Sequence, residues 1–168
     1  MNADPKKVPH VEISVANLEG AVAFYKKVMG WHMIEHAFVV KEESNTALGK
    51  GCINAFGTGW GSFKMVHLST GDGIGIELFE FKKRVAPQKF DCWKTPAFHF
   101  CVHEPNIKDL VEKVVAHGGT EQVPIREYYP GEKPSKMAFV KDPFGLVFEL
   151  FTELPAEHFE ACTLTAVS

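Results

Sequence analysis

Two histidines and two glutamates stand out by residue type and spacing. His10 opens the alternating run His10-Val-Glu-Ile-Ser-Val15, and His99 opens a second one, His99-Phe-Cys-Val-His103. Glu77 and Glu149 each begin a Glu-Leu-Phe tripeptide near the end of a further alternating run, within residues 72–79 and 142–151. Side chains alternate across a strand, so parity assigns faces. Val11, Ile13 and Val15 share one face of the first run, and His10, Glu12 and Ser14 share the other. Phe98, Phe100 and Val102 likewise oppose His99, Cys101 and His103. Ile76 and Leu78 oppose Glu77, Phe79 and Phe81, while Leu146, Phe148 and Leu150 oppose Val147, Glu149 and Phe151.

Each half of the chain thus offers one imidazole and one carboxylate among apolar side chains. An isolated buried carboxylate costs several kcal/mol or shifts its protonation. A divalent cation removes that cost. If two sheets curl toward each other, His10, Glu77, His99 and Glu149 form a mixed nitrogen and oxygen set. Such a set suits one Zn, Ni, Co, Mn or Fe ion, with positions left open for water or substrate oxygens. Glu12, Cys101 and His103 share these faces; for each, supporting the ligands and a structural role weigh about equally. His32, His36, His67, His117 and His158 are read as structural.

The elements that must position these residues repeat. After each His-led run comes a short polar stretch and then a helical pattern. Asn17 caps the first helix, with Ala21, Phe24, Tyr25, Val28 and Met29 as its apolar stripe. Pro105 starts the second, with Ile107, Leu110, Val111, Val114 and Val115. Gly30 and Gly119 each stand twenty residues after the leading histidine and fit left-handed helix ends. Room remains for strands near 31–40 and 63–69, and near 120–126 and 136–141. The plan is β-α-β-β-β written twice, and duplication explains it better than chance. Residues 41–62 read as an irregular Gly-rich connection and 127–135 as a Pro/Gly loop, both favoured as functional neighbours of the four residues. Residues 82–96 link the halves, and 153–168 form a tail.

Composition sets the outer limits. The 168 residues suit one ordinary domain, and 45% apolar with 23% charged residues allow a packed core. A net charge of −3 excludes the broad basic surface that nucleic-acid binding needs. No apolar run reaches the roughly 18–20 residues of a membrane span, and the first ten residues lack the apolar stretch of a secretory signal. Cys52, Cys92, Cys101 and Cys162 are scattered without a C-x-x-C pair, which fits reduced thiols of a cytoplasmic protein rather than a disulfide framework or a thiolate zinc site. Fourteen Phe against three Tyr and three Trp suit a sheet with a dry, curved interior.

The segments PHVEISVANLEGAVAFYKKVMGW, IELFEF, FHFCV and KMAFVKDPFGLVFELF resemble the vicinal oxygen chelate superfamily, and within it glyoxalase I (lactoylglutathione lyase). The resemblance implies an α+β fold of paired βαβββ modules, the glyoxalase/bleomycin resistance/dihydroxybiphenyl dioxygenase fold, forming a cup-shaped mixed sheet around one metal. It implies a single domain over 8–152, with modules at 8–81 and 96–152. It implies the same ligands, His10, Glu77, His99 and Glu149, around one divalent ion. The implied reaction moves a proton between adjacent carbons through the metal-stabilised enediolate of a 2-oxoaldehyde thiohemiacetal. Glu149 is the implied base, with Glu77 as ligand and second proton carrier, and with Phe79, Phe81 and Phe151 as a desolvating wall. The implied partners are a small-molecule substrate such as a glutathione conjugate, and a second copy of the chain in a homodimer, with no nucleic acid and no membrane. Ser14 departs from the bacterial glyoxalase I pattern, where an Arg holds a glutathione carboxylate. Phe144 replaces the Asp of the usual Asp-Pro-Asp-Gly turn. Three other readings are a methylmalonyl-CoA epimerase-like isomerase, an extradiol dioxygenase-like enzyme and a non-catalytic small-molecule binder. Methylmalonyl-CoA epimerases usually carry Gln at the position of Glu77, which favours the glyoxalase reading.

Overall fold

Asn17 begins the first helix by taking an extended backbone and accepting the Gly20 amide on its side-chain oxygen at 3.0 Å. A strand, a helix and a returning set of strands then recur in the same order after His99. A computed structural model describes residues 7–83, 99–128 and 135–153. These fall into two units, the first holding 7–83 and the second the remainder. The first contains β1 (His10–Ser14), α1 (Leu18–Val28), β2 (His32–Met33), β3 (Phe38–Lys41), α2 (Ala47–Phe56), β4 (Ser62–Ser69) and β5 (Gly75–Phe81). The second contains β6 (Phe100–His103), α3 (Ile107–Ala116), β7 (Thr120–Tyr128), β8 (Ser135–Lys141) and β9 (Val147–Phe151).

The two sheets have the same topology. The order is β1-β5-β4-β2 in the first, with β3 also paired to β4, and β6-β9-β8-β7 in the second. In each, the first strand lies parallel to the last, and the remaining pairs are antiparallel. The parallel pair is what a β-α crossover onto a returning antiparallel meander produces. The expected α+β fold of two βαβββ modules is present.

Each helix buries its stripe on its own sheet. Leu18, Ala21, Phe24, Tyr25 and Val28 of α1 are buried, as are Ile76 and Leu78 of β5. Ile107, Leu110, Val111 and Val114 of α3 are buried with Phe148 and Leu150 of β9. Two expected stripe members differ: Val115 is half exposed, and burial fades along the edge strand β1 from Val15 to Ile13 to the exposed Val11.

Three further expectations need correction. The segment 41–62 is not an irregular connection. Thr46 caps α2 by accepting the Gly49 amide, and Cys52 and Ile53 pack on a core of Val40, Trp60, Phe63, Met65 and Phe79. Residues 31–40 form two short strands, β2 and β3, rather than one. The second helix begins after Asn106, not at Pro105, and the left-handed residue at its end is Gly118, with φ +88°, not Gly119. That helix has ten residues where α1 has eleven, so counting twenty from His99 overshoots by one. Cys92, Cys162, His158, Phe98, the linker beyond residue 83, loop residues 129–134 and the tail beyond residue 153 lie outside the described residues.

Candidate metal centre

Register brings each histidine to its glutamate. In the first unit, β1 pairs with β5 so that Glu12 lies beside Glu77 and His10 beside Gly75. A Cβ at residue 75 would fall 3.0 Å from the His10 Cβ and 3.1 Å from the Pro9 carbonyl, so glycine gives the imidazole its room. The His10 Nδ1 stands 3.9 Å from Glu77 Oε1. One ligand atom from each of His10, Glu12 and Glu77 lies within 4.8 Å of the others. In the second unit, His99 Nε2 is 3.4 Å from Glu149 Oε2, and the His99 ring meets Phe139 edge-on at 5.4 Å.

The donors fit a divalent cation. Two ligand atoms each about 2.1 Å from one ion sit roughly 3.0–3.4 Å apart at octahedral or tetrahedral angles; the His99/Glu149 pair, at 3.4 Å, has that spacing, and the His10/Glu77 pair, at 3.9 Å, is slightly wider. Carboxylates side by side on adjacent strands, Glu12 and Glu77, also gain from a shared positive charge. The structure therefore brings together His10 with Glu77, and His99 with Glu149, each within its own unit.

The turns that feed β5 and β9 are built alike. Asp142 is 3% exposed, and its Oδ1 accepts the amides of Phe144 and Leu146 at 2.8 Å. Thr70 does the same work seven residues before Glu77: its Oγ1 accepts the Ile74 amide at 2.9 Å. The counterpart of Asp142 is therefore Thr70, not Asp72, and Phe144 leaves the turn intact.

The strand rows flanking the two glutamates differ. Across β1, β5 and β4, Glu77 has Glu12 on one side and His67 on the other. Across β6, β9 and β8, Glu149 has Cys101 and Phe139. Partial burial pushes the Cys101 thiol up to about 11, and the Glu149 charge adds to the effect, so this neighbour is an uncharged thiol at neutral pH. Expected to be merely structural, His67 instead sits 3.3 Å from Glu77 through Nε2. The β4–β5 register places it there, and the sequence alone does not give that register.

Two of the three phenyl rings expected to form an apolar wall lie in the first unit. Phe79 and Phe81 lie on the Glu77 face beside Phe63, with ring centroids 5.0 and 5.2 Å away. Phe56 of α2 meets all three rings edge-on at 6.4 Å. The helix missed in the sequence thus covers the apolar surface that continues from Glu77. Opposite, on the helix face of the same strand, Glu80 accepts the Leu18 amide at 2.6 Å and fixes the start of α1.

Two mixed sheets of duplicated topology, each with a His/Glu pair on its non-helix face, define a class of protein. Residues 7–150 match the family model of the Glyoxalase/Bleomycin resistance protein/Dioxygenase superfamily, and the chain belongs to that superfamily. Its members are generally enzymes that act on small molecules and hold a divalent metal. Among individual proteins, the chain is 30% identical over 154 residues to lactoylglutathione lyase GLX1 of Arabidopsis thaliana, covering 90% of this chain and 46% of that protein. The chain thus spans about half the length of that relative. A glyoxalase family protein from Bacillus cereus superposes with TM-score 0.67 at 20% identity, covering 92% of this chain and 99% of the other. A glyoxalase I mutant from Zea mays gives 0.57 at 18% identity, covering 89% and 46%. The fosfomycin resistance protein FosX of Listeria monocytogenes, complexed with Mn(II) and sulfate, gives 0.52 at 14% identity, covering 95% and 99%. Among the described residues, no helix is long and apolar enough to cross a membrane.

Proposed function

We propose that the chain is a metal-dependent lyase/isomerase of the glyoxalase I kind, with His10, Glu77, His99 and Glu149 holding one divalent ion. The observation that carries this reading is the duplicated His/Glu pair, at 3.9 Å in one unit and 3.4 Å in the other, on corresponding strands. The 30% identity to a lactoylglutathione lyase supports the choice among superfamily activities. A bound divalent ion would supply Lewis acidity, favouring negative charge on neighbouring substrate oxygens by several kcal/mol.

The protein's own part is proton movement. Glu149 takes the proton from the carbon beside the substrate carbonyl and returns it to the adjacent carbon, so the substrate is isomerised with no net gain or loss of protons. Its neighbours suit that exchange, because Phe139 offers no hydrogen bond and the Cys101 thiol only a weak one. Glu77 serves as ligand and second proton carrier. The substrate in this reading is the thiohemiacetal of a 2-oxoaldehyde and glutathione. Epimerisation beside a thioester carbonyl uses the same proton movement, and Ser14, where bacterial glyoxalases I carry an Arg, is the reason to test it. A homodimer and a cytoplasmic location belong to the same reading, the latter supported by the scattered cysteines.

The test is elemental analysis of the purified chain, followed by metal-loaded assays with methylglyoxal plus glutathione, methylmalonyl-CoA and catechols. The expected result is about one divalent ion per site and turnover of the first substrate. Glu149→Gln should lower kcat by roughly 10²–10⁴ while circular dichroism and Tm stay near wild type. Full turnover by that variant, or a protein that takes up no divalent ion, refutes the reading.

A further inference from the structure

We propose that His67 is a positioning residue that orients the Glu77 carboxylate toward the metal, a support that Glu149, the proposed base, lacks on its flanking strands. The inference rests on the metal-binding reading above and assigns a role to a residue outside the four ligands.

Three observations converge on His67. First, it is directly opposite Glu77 in the β4–β5 register, and its Nε2 lies 3.3 Å from Glu77 Oε1. That nitrogen is buried, and no hydrogen bond among the described residues satisfies it. A buried ring nitrogen beside a carboxylate oxygen is a donor waiting for a small adjustment of that carboxylate. Second, the ring is held from its other sides. Its Nδ1 is 3.7 Å from Glu35 Oε2, and Phe38 meets it edge-on at 6.1 Å. Third, the duplication supplies an internal control. The residue opposite Glu149 at the same level of the second sheet is Phe139, which has no polar atom to offer.

The asymmetry divides the labour. Glu77 carries a negative neighbour, Glu12, on its other side. Without a counter-partner, the two carboxylates would push apart. A donor at Nε2 holds Glu77 Oε1, the oxygen that also faces His10 Nδ1, and so fixes the direction in which the carboxylate meets the ion. Hydrogen-bonded supports of this kind orient metal-ligating carboxylates and typically change metal affinity 10–100-fold when removed. Glu149, with a thiol and a phenyl ring in the equivalent places, has no such pin from its flanking strands.

The experiment titrates Co(II) into metal-stripped full-length protein, with visible absorption of the bound ion as a second readout. His67→Ala should weaken Co(II) binding by roughly 10–100-fold with the wild-type spectrum recovered at saturation. His67→Gln, whose amide nitrogen can occupy the Nε2 position, should restore affinity to within a few fold of wild type. His67→Leu, which keeps the bulk but offers no donor, should weaken binding as His67→Ala does. Unchanged affinity in a folded His67→Ala protein overturns the inference. So does a spectrum that differs at saturation, which would make His67 a ligand, and so does wild-type affinity in His67→Leu, which would reduce the effect to packing. A wild-type chain that binds no Co(II) overturns the metal-binding reading and this inference with it, and is distinguished from the other outcomes before any variant is compared.

Discussion

Gly119 joins α3 to β7 in the unit that carries Glu149, and replacing it with alanine tests why glycine is there. A Cβ at this position would lie 2.5 Å from Val114 Cγ1 and 2.6 Å from the Lys141 carbonyl oxygen, where ordinary contact is 3.4–4 Å. The overlap is about 1 Å on two sides at once. Neither neighbour can retreat cheaply. Val114 is fully buried, and Lys141 is held between Thr120 of β7 and Val147 of β9. The adjacent Gly118 presents the opposite case: φ is +88° and the nearest atom to an added Cβ is Pro143 Cγ at an ordinary 3.6 Å. Gly118→Ala therefore costs left-handed strain of about 1–2 kcal/mol, whereas Gly119→Ala costs overpacking of about 2–3 kcal/mol. For a chain of this size, the latter lowers Tm by roughly 4–12 °C. Asparagine separates the mechanisms, since it tolerates the left-handed region but is larger than alanine. In thermal unfolding, Gly118→Asn should be milder than Gly118→Ala, and Gly119→Asn at least as severe as Gly119→Ala. A Gly119→Ala protein as stable as wild type, or an asparagine that rescues position 119, refutes the steric argument.

Two other outcomes follow from groups around the first sheet. Glu42 accepts the amides of Gly61 at 2.6 Å and Gly59 at 2.8 Å, and these hold its carboxyl below the ordinary value of 4.5. A depressed folded value stabilises the fold above 4.5 and loses that contribution as pH falls through the folded value. Denaturant unfolding should therefore show Glu42→Gln less stable than wild type at neutral pH, with the difference closing in acid; a pH-independent gap counts against it. Glu80→Ala removes the acceptor for the Leu18 amide at the start of α1 and should cost about 1 kcal/mol, read by the same measurement; no loss would mean that Asn17 alone secures the helix.

The duplicated plan was legible because it rests on local pattern. His-led alternation, an apolar stripe at helical spacing and the Glu-Leu-Phe strands are all short-range signals, and parity placed each histidine and glutamate on the face the structure gives them. What failed depended on partners distant in sequence. Helix α2 hides behind Gly49 and Gly51, poor helix formers, and exists because Cys52, Ile53 and Phe56 find the aromatic face of β4 and β5. At Gly49 itself a Cβ would run into the Glu43 carbonyl oxygen. The meaning of His67 lies in a cross-strand register that local pattern does not carry, and Gly118 takes the left-handed position in place of Gly119 because α3 is one residue shorter than α1.

The parallel pairing of β1 with β5, and of β6 with β9, has a consequence for assembly. The antiparallel pairs β4–β5 and β8–β9 close over short turns at 70–74 and 142–146, whereas the opening strand must return across the whole module before it can dock. Closing the longer loop costs more chain entropy, so the opening strand is expected to zip on last and fray first. Both histidines ride at the leading ends of those late-arriving strands, and both glutamates on the strands that receive them. On the proposed metal-binding reading, capture of the cation would act as a latch on the final step of folding, and its removal should be felt first as loosening at the chain segments beginning at His10 and His99.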